Sequence, residues 1–551
     1  MPDKTTSTID RRHYLKISAS FIAALIGSAS LPAFAQDAAQ PAGDAKPEDA
    51  KPAGAKPAEG DAQGTPFNWD WLVARMKARA GAAYEDDQGS LPEQVAKLDY
   101  DSHRRIRFRP DHARWKGTER NFELQAFYPG WLFDKPVHLF EVVEGQLRPM
   151  DFQADDFEYR EPLDAQAFEK IELPGVAGFR LHYPLNRSDY RDELISFLGS
   201  SYFRALGRGN IYGISARGLA VDTASGSAEE FPRFTRFYIE RPEKGAREIK
   251  LYAELESERV AGAYAFSITP GVETVVDVQA AIFLRAAVSR LGLAPLSSMY
   301  LFGENDHTGF DDFRPEVHDS DGLVILRASG ERIWRPLTNP GQLQLSIFAE
   351  DNPGGFGLLQ RDRAPDHYLD TEARYERRPS VWIEPVGEWG KGSVFLAEIP
   401  SKEEIHDNIV AFWMPENGLE AGSEHWLHYR MLWAMEVEGD VPLARVIRTR
   451  TGQGGTASSE PDPDLRKFLV DFAGDPLVGL GEDAAIDVQL NVGNGKITHK
   501  ILNKLPGSDV WRLIADVRRK DGSKPVELSA ALLRDQERLT ETWTYQWGQT
   551  V

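Results

Sequence analysis

No cysteine occurs among the 551 residues, which excludes disulfides, thiolate metal sites and cysteine nucleophiles. A basic excess is also missing: 64 lysines and arginines stand against 85 aspartates and glutamates, a formal net charge of −21. Phosphate backbones need a basic surface, so this balance argues against a nucleic-acid partner and leaves a neutral polymer such as a glycan open. Beyond Leu31 no apolar run approaches the roughly 20 residues that cross a bilayer, so no stable membrane insertion is expected. Nucleotide and zinc signatures are absent as well. "GEWGKGS" (Gly387 to Ser393) lacks the phosphate-loop spacing, "GRGNIYG" misses the dinucleotide register, and no H-E-x-x-H helix is present. "GISARG" is not a nucleophile elbow. Asp319-Ser320-Asp321-Gly322 resembles the start of a calcium loop, but Gly322 arrives too early for an EF-hand register. Neither a metal nor a cofactor is expected.

What is present begins with Arg11 and Arg12 ahead of an apolar run, Ile17 to Leu31, closed by Ala33-Phe34-Ala35. This is the pattern of an export signal with an A-x-A cleavage site before Gln36. The arginine pair before "HYLK" resembles the twin-arginine type, although a basic n-region also suits an ordinary secretory signal. Residues 1–35 are therefore read as a cleaved signal and the periplasm as the destination. Residues 36–66, with the imperfect repeat "AKPEDAKPAGAKPAEG", hold too few apolar side chains for a core and are read as a disordered tether. A helix should follow, because Trp69, Leu72, Val73, Met76 and Ala80 recur at spacings of three to four.

From about residue 100 to 435 the pattern is mostly short strands. "RIRFRP", "FELQAFY", "EIKLYAEL", "TVVDVQAAIFL" and "QLQLSIFAE" alternate or are β-branched, with Gly, Pro, Asn and Asp between them. "DELISFLGSSYFRALG" is expected to be a helical interruption. The fold class is all-β: a large sandwich over 67–435, a linker over 436–445, and a small immunoglobulin-like sandwich over 446–551. In the second unit "KFLVDF", "AIDVQLNV", "WRLIADV", "VELSAALL" and "TWTYQW" read as strands, and "TRTGQGGTASSEPDPD" as a loop near its start. Trp511, Leu513, Ala515 and Val517 alternate and are assigned to its core.

The tract from Tyr300 to Trp413 sets Trp334, Trp382, Trp389 and Trp413 among many Asp, Glu and Arg residues. Aromatic faces stack on the apolar faces of sugar rings, and carboxylates and guanidiniums bind hydroxyls, so the tract suits a glycan cleft. Glu388 and Arg314 join the four tryptophans as candidate contacts. Each tryptophan suits the inside of a sandwich equally well.

Several long stretches go further. "SSYFRALGRGNIYGISARGLAVDTASGSAEEFPRFTRFYIERP", "FRPEVHDSDGL", "RIWRPLTNP", "NPGGFGLLQRDR", "ARYERRPSVWIEPVGEWGKGSV", "HDNIVAFW" and "TETWTYQW" resemble the osmoregulated periplasmic glucan biosynthesis proteins of types G and D. The resemblance runs from about Phe67 to the C-terminus, and the export signal and Asp321 point to type D. It implies a galactose-mutarotase-like β-sandwich followed by an immunoglobulin-like domain. It also implies a role in making β-1,2-linked glucose polymers, with hydrolysis of β-1,2-glucan that inverts the anomeric carbon. Inverting enzymes use two carboxyl groups, usually roughly 6.5–9.5 Å apart; the gap can be wider where water and hydroxyls relay the proton. By position the resemblance puts the general acid on Asp407 in "HDNIVAFW" and the base on Asp319 in "VHDSDGL". Tyr375 in "ARYERRP" falls on the relay and on a loop over the cleft. Without the resemblance, Asp319 near Gly322 suits a turn, Asp407-Asn408 the start of a strand, and "GEWGKG" a tight turn. His406 stands where the family pattern has Asn, and a protonated imidazole close to Asp407 would lower its pKa and oppose the acid role. The implied partners are β-1,2-glucan, the membrane glucosyltransferase and a second copy of the chain in a homodimer. The alternatives are a glucan-binding scaffold without turnover and a transglycosylase.

Overall fold

Alternation of apolar and polar side chains sets the layers. In the strand Ile249–Glu256 every second residue, Ile249, Leu251, Ala253 and Leu255, is buried in one large core. Facing them across that core are Leu124, Phe179, Phe197 and Phe203 from a different sheet. The computed structural model describes residues 63–86, 89–438, 442–456, 458 and 460–548; the expected export signal and the expected tether up to residue 62 lie outside the described residues. Within them the fold is all-β, with a 10-stranded and a 15-stranded sheet forming the two layers of the large sandwich. The last part of the expected tether is already structured: Gly64 N donates to Leu147 O at 2.9 Å, and Pro66 bridges to Gln146.

The expected helix is Trp69–Ala80, capped by Asn68, whose side chain accepts from Trp71 N at 2.8 Å. Leu72 and Met76 bury against Phe140, Tyr238, Ala261 and Ala281 on the outer face of the 15-stranded sheet. No helix among the described residues is long and apolar enough to cross a membrane. All ten quoted strand segments form strands.

"DELISFLGSSYFRALG" is a hairpin, not a helix: Asp192–Leu198 pairs antiparallel with Tyr202–Ala205. Gly199 and Ser200 both take positive φ (75° and 43°), which turns the chain. The period-two set Ile195, Phe197, Phe203 and Ala205 is buried in the main core. Leu194, Leu198, Tyr202 and Leu206, four apart, fit a helix face as well, and packing decided between the two.

The C-terminal unit has strands on two sheets. Arg445–Gln453, Leu465–Ala473, Trp511–Arg519 and Gly495–Lys504 make a 4-stranded sheet. The segment read as a loop from "TRTGQ" onward thus begins as strand, and Gly495–Lys504 was not anticipated. Trp511, Leu513, Ala515 and Val517 are buried, as alternation requires. The other layer is not a separate sheet. Thr542–Trp547 pairs in parallel with Arg332–Pro336 of the large sandwich (Ile333 with Thr542, Trp334 with Trp543), so one 15-stranded sheet runs through both units. Their side chains fuse too: Val324, Trp334, Leu359 and Trp382 share a core with Phe468, Trp511, Trp543 and Tyr545.

That junction corrects part of the glycan-contact assignment. Trp334 and Trp382 are core residues between the two units, and Trp413 is fully buried in the large core. Trp389 packs against that same core and donates Nε1–H to His428 O at 3.3 Å, with Glu388 exposed beside it. Both lie at the Gly392/Pro415 end of the hairpin formed by Lys391–Glu398 and Ile409–Pro415, whereas Asp407 precedes the Glu398/Ile409 end. Seven strand residues separate the two ends, roughly 20 Å.

Candidate functional site

Three adjacent strands of the 10-stranded sheet supply the floor. Tyr202–Ala205, Ser215–Arg217 and Leu291–Ser298 are neighbours, and the start of Ile409–Pro415 follows. Phe203, Ala216 and Leu296 point into the core, so alternation turns Arg204, Ser215, Arg217 and Ser297 to the opposite face. There Arg204 Nε donates to Ser215 Oγ at 2.6 Å, and Arg217 Nε to Ser297 Oγ at 2.9 Å. Arg217 is also paired with Glu229 at 2.8 Å.

Asp407 and Asp319 enter above this floor, and consecutive residues at the end of one strand hold both loops. Asp319 N donates to Met299 O at 2.8 Å. Asn408 accepts from Tyr300 N at 2.8 Å and donates to Tyr300 O at 2.9 Å. Ser298 and Ser320 hydroxyls meet at 2.7 Å. The two aspartates, 88 positions apart in number, therefore hang from one three-residue stretch, Ser298 to Tyr300.

Their environments differ. Asp319 is buried and ion-paired with the Arg378 guanidinium. The Asp407 side chain is nearly as buried, yet among the described residues its Oδ2 accepts no hydrogen bond, and Arg204 Nη2 stands 3.6 Å away. Burial raises the pKa of both. For Asp319, Arg378, Arg204 and His318 pull the other way. For Asp407, Arg204 pulls down while the negative charge of Asp319 pushes up. Arg204 and Arg378 act on both carboxylates, so the four groups form one charge cluster. His406 turns its Nδ1 to Ser401 Oγ at 3.4 Å.

Tyr375 closes this cluster. It opens a short 3-10 turn, Tyr375–Arg377, after Arg374 in the left-handed region at φ 48°. The Arg378 guanidinium lies 4.4 Å over its ring, and its hydroxyl donates to Glu404 Oε2 at 3.2 Å. Glu404 is bridged to Arg314 at 2.8 Å, and Arg314 also holds Asp312 and Asp370 at 2.7 and 2.9 Å. Arg314 thus clasps three loops at the edge of the cluster. Gly213 is required beneath it, since a Cβ there would lie 2.9 Å from Arg378 side-chain carbons.

Of the residues singled out in the sequence, the structure gathers Asp319, Asp407, Tyr375 and Arg314, and leaves Trp334, Trp382, Trp389, Trp413 and Glu388 elsewhere. It adds Arg204, Arg217, Arg378 and Glu404. The signal for the first two was available: an arginine out of phase with the apolar face of a strand. For Arg204 it stayed hidden because 192–207 read as a helix; Ser215–Arg217 is only three residues long, too short for its alternation to be read. Asp321 serves the backbone, accepting from Arg361 N at 3.0 Å and Asp362 N at 2.9 Å; burial pushes its pKa up to about 6. Glu316, Asp362 and His367 bring ligand atoms within 4.8 Å of one another. They already engage protein partners, Glu316 with His318 at 2.8 Å and Asp362 with His367.

Residues 67–547 match the family described as "Periplasmic glucan biosynthesis protein, MdoG". Relatives named "Glucans biosynthesis protein G" match along most of their lengths. The protein from Cereibacter sphaeroides is 47% identical over 548 residues, 99% of both chains. That from Ralstonia nicotianae is 45% identical over 487 residues, 87% of this chain and 95% of the relative. That from Pseudomonas putida is 44% identical over 477 residues, 85% of each. The names carry type G, so the type D expectation drawn from the export signal and Asp321 is not supported.

Proposed function

We propose, from the premise that this chain belongs to the periplasmic glucan biosynthesis protein family MdoG, that it trims β-1,2-glucan as an anomer-inverting endo-hydrolase. One observation carries the reading: two buried carboxylates in one charge cluster, one held by an arginine and the other with an unbonded oxygen. An inverting hydrolase needs one carboxyl protonated and one ionised. Asp407, desolvated and facing the charge of Asp319, suits the protonated role. Asp319, bridged to Arg378, suits the ionised role.

In the reaction, the Asp407 proton passes to the glycosidic oxygen as the bond from that oxygen to the anomeric carbon breaks. Water attacks that carbon from the opposite ring face and gives its proton to Asp319, directly or through hydroxyls. The product carries an inverted anomeric hydroxyl. Tyr375 borders this cluster and its hydroxyl donates to Glu404; a relay through it to Asp319 requires that hydroxyl to turn. Arg204 and Arg378 keep the total charge of the site low while both carboxylates remain. The twin-arginine route of export belongs to the same proposal and rests on Arg11 and Arg12.

Purified mature protein incubated with linear β-1,2-glucan tests this by oligosaccharide profiling. Short oligosaccharides from wild type are expected, and from Asp407→Asn their release slowed by roughly 10²–10⁴. Tight binding without products would instead favour a glucan-binding scaffold that serves the glucosyltransferase. Products longer than the starting glucan would favour transglycosylation.

A further inference from the structure

The segment Gln360–Arg363, "QRDR", follows the strand Gly355–Leu359, and each of its residues reaches a different element. Gln360 Nε2 donates to His318 O at 3.0 Å and Tyr375 O at 3.2 Å, and its Oε1 meets His318 Nδ1 at 2.9 Å. Arg363 Nη1 donates to Glu376 O at 3.0 Å and Nη2 to Met435 O at 2.7 Å. The turn that presents Tyr375 and Arg378 to Asp319 is therefore hung from positions 360 and 363. Between them, Arg361 points the other way, into the C-terminal unit. Its guanidinium bonds Glu541 at 2.6 and 3.0 Å, Glu438 at 2.9 and 2.6 Å and Val446 O at 3.1 Å. It lies 3.8 Å over the Trp334 ring. The side chains of Glu438 and Glu541 are almost fully buried, and Arg332 and Arg445 are further cations beside them. Glu541 directly precedes Thr542–Trp547, the strand that joins the two units.

The geometry points to Arg361 as a positioning residue that makes the placement of Arg378 and Tyr375 against Asp319 depend on how the C-terminal unit is seated. This rests on the reading of Asp319 as the base. The mechanism is mechanical: the backbone of 361 is fixed by Asp321 on one side and its side chain by two carboxylates on the other. A shift of the C-terminal unit is thus passed to positions 360 and 363, and through them to the carbonyls of His318, Tyr375 and Glu376. Asp319 faces Arg378, Arg204, His318 and Asp407, and of these Arg378 stands in the turn that Arg363 holds.

Two measurements on the full mature chain test this. Arg361→Met alone leaves Glu541, among the described residues, facing only the Arg332 cation, at 3.6 Å, so it is combined with Glu541→Gln, while Glu438 keeps Arg332 and Arg445. Arg361→Lys is examined as the conservative variant. With β-1,2-glucan, the double variant should lose at least tenfold in kcat. The acid limb of its pH profile should move to higher pH, because Asp319 loses part of its arginine partner, and Arg361→Lys should fall between it and wild type. By hydrogen exchange with mass spectrometry, residues 373–380 should exchange faster in the double variant while 249–256 stay unchanged. A lowered melting temperature with wild-type exchange over 373–380 and a wild-type pH profile would overturn the inference and make Arg361 purely structural. Should wild type show no turnover, the catalytic reading fails, and the exchange data still decide the coupling.

Discussion

Asp407 carries both a chemical task and a thermodynamic cost, and both follow from its burial with an unbonded Oδ2. Asp407→Asn keeps the shape and removes the proton, so kcat should fall by roughly 10²–10⁴, the usual contribution of a general acid, while binding of β-1,2-glucan persists. Stability gives an independent check. The folded pKa of Asp407 is raised, chiefly by burial, so the group favours folding fully only below its unfolded value, and that contribution is lost as pH rises through the folded value. Asp407→Asn should therefore gain stability over wild type as pH rises from about 4 toward neutrality, measured by urea unfolding at several pH values. A constant difference across that range would contradict the raised pKa. Arg204 lowers the Asp407 pKa, so Arg204→Met should move the alkaline limb of the pH–rate profile upward; a downward shift would remove Arg204 from this role.

At the scale of elements, the stretch "VHDSDGL" distributes its polar groups to separate partners: His318 to Glu316 and Gln360, Asp319 to Arg378, Ser320 to Ser298, Asp321 to the 361–362 backbone. Gly322 ends it under the Trp334 ring, where an added Cβ would sit 2.1 Å from Cη2. Gly322→Ala should destabilise by about 1–3 kcal/mol through overpacking, read from denaturant midpoints. Met76, fully buried under the helix Trp69–Ala80, should cost about 2–5 kcal/mol when changed to Ala. Period-two and helical spacings made this helix and most strands legible before any coordinates, because each buries one face. The hairpin at 192–205 was not legible: its apolar spacing fits both periods, and the deciding Gly199-Ser200 turn is local backbone geometry. Asp319 and Asp407 were named only through resemblance, since neither has a local signature, and their common anchor at Ser298 to Tyr300 is a tertiary fact.

At the scale of the molecule, the boundary placed at 436–445 divides the sequence but not the core. Trp334 and Trp382, assigned to sugar binding, seal the junction instead; a tryptophan in a strand looks the same from sequence in either role. Because one sheet and one core span both units, calorimetry should show a single cooperative unfolding transition, and two resolved transitions would contradict the shared core. The pairing of Asp407 as acid with Asp319 as base is tested most directly by the anomeric form of the first products. Proton NMR of wild-type protein acting on linear β-1,2-glucan should show new reducing ends appearing first as the α-anomer, with β following only by mutarotation. Reducing ends that appear first as the β-anomer would contradict the account.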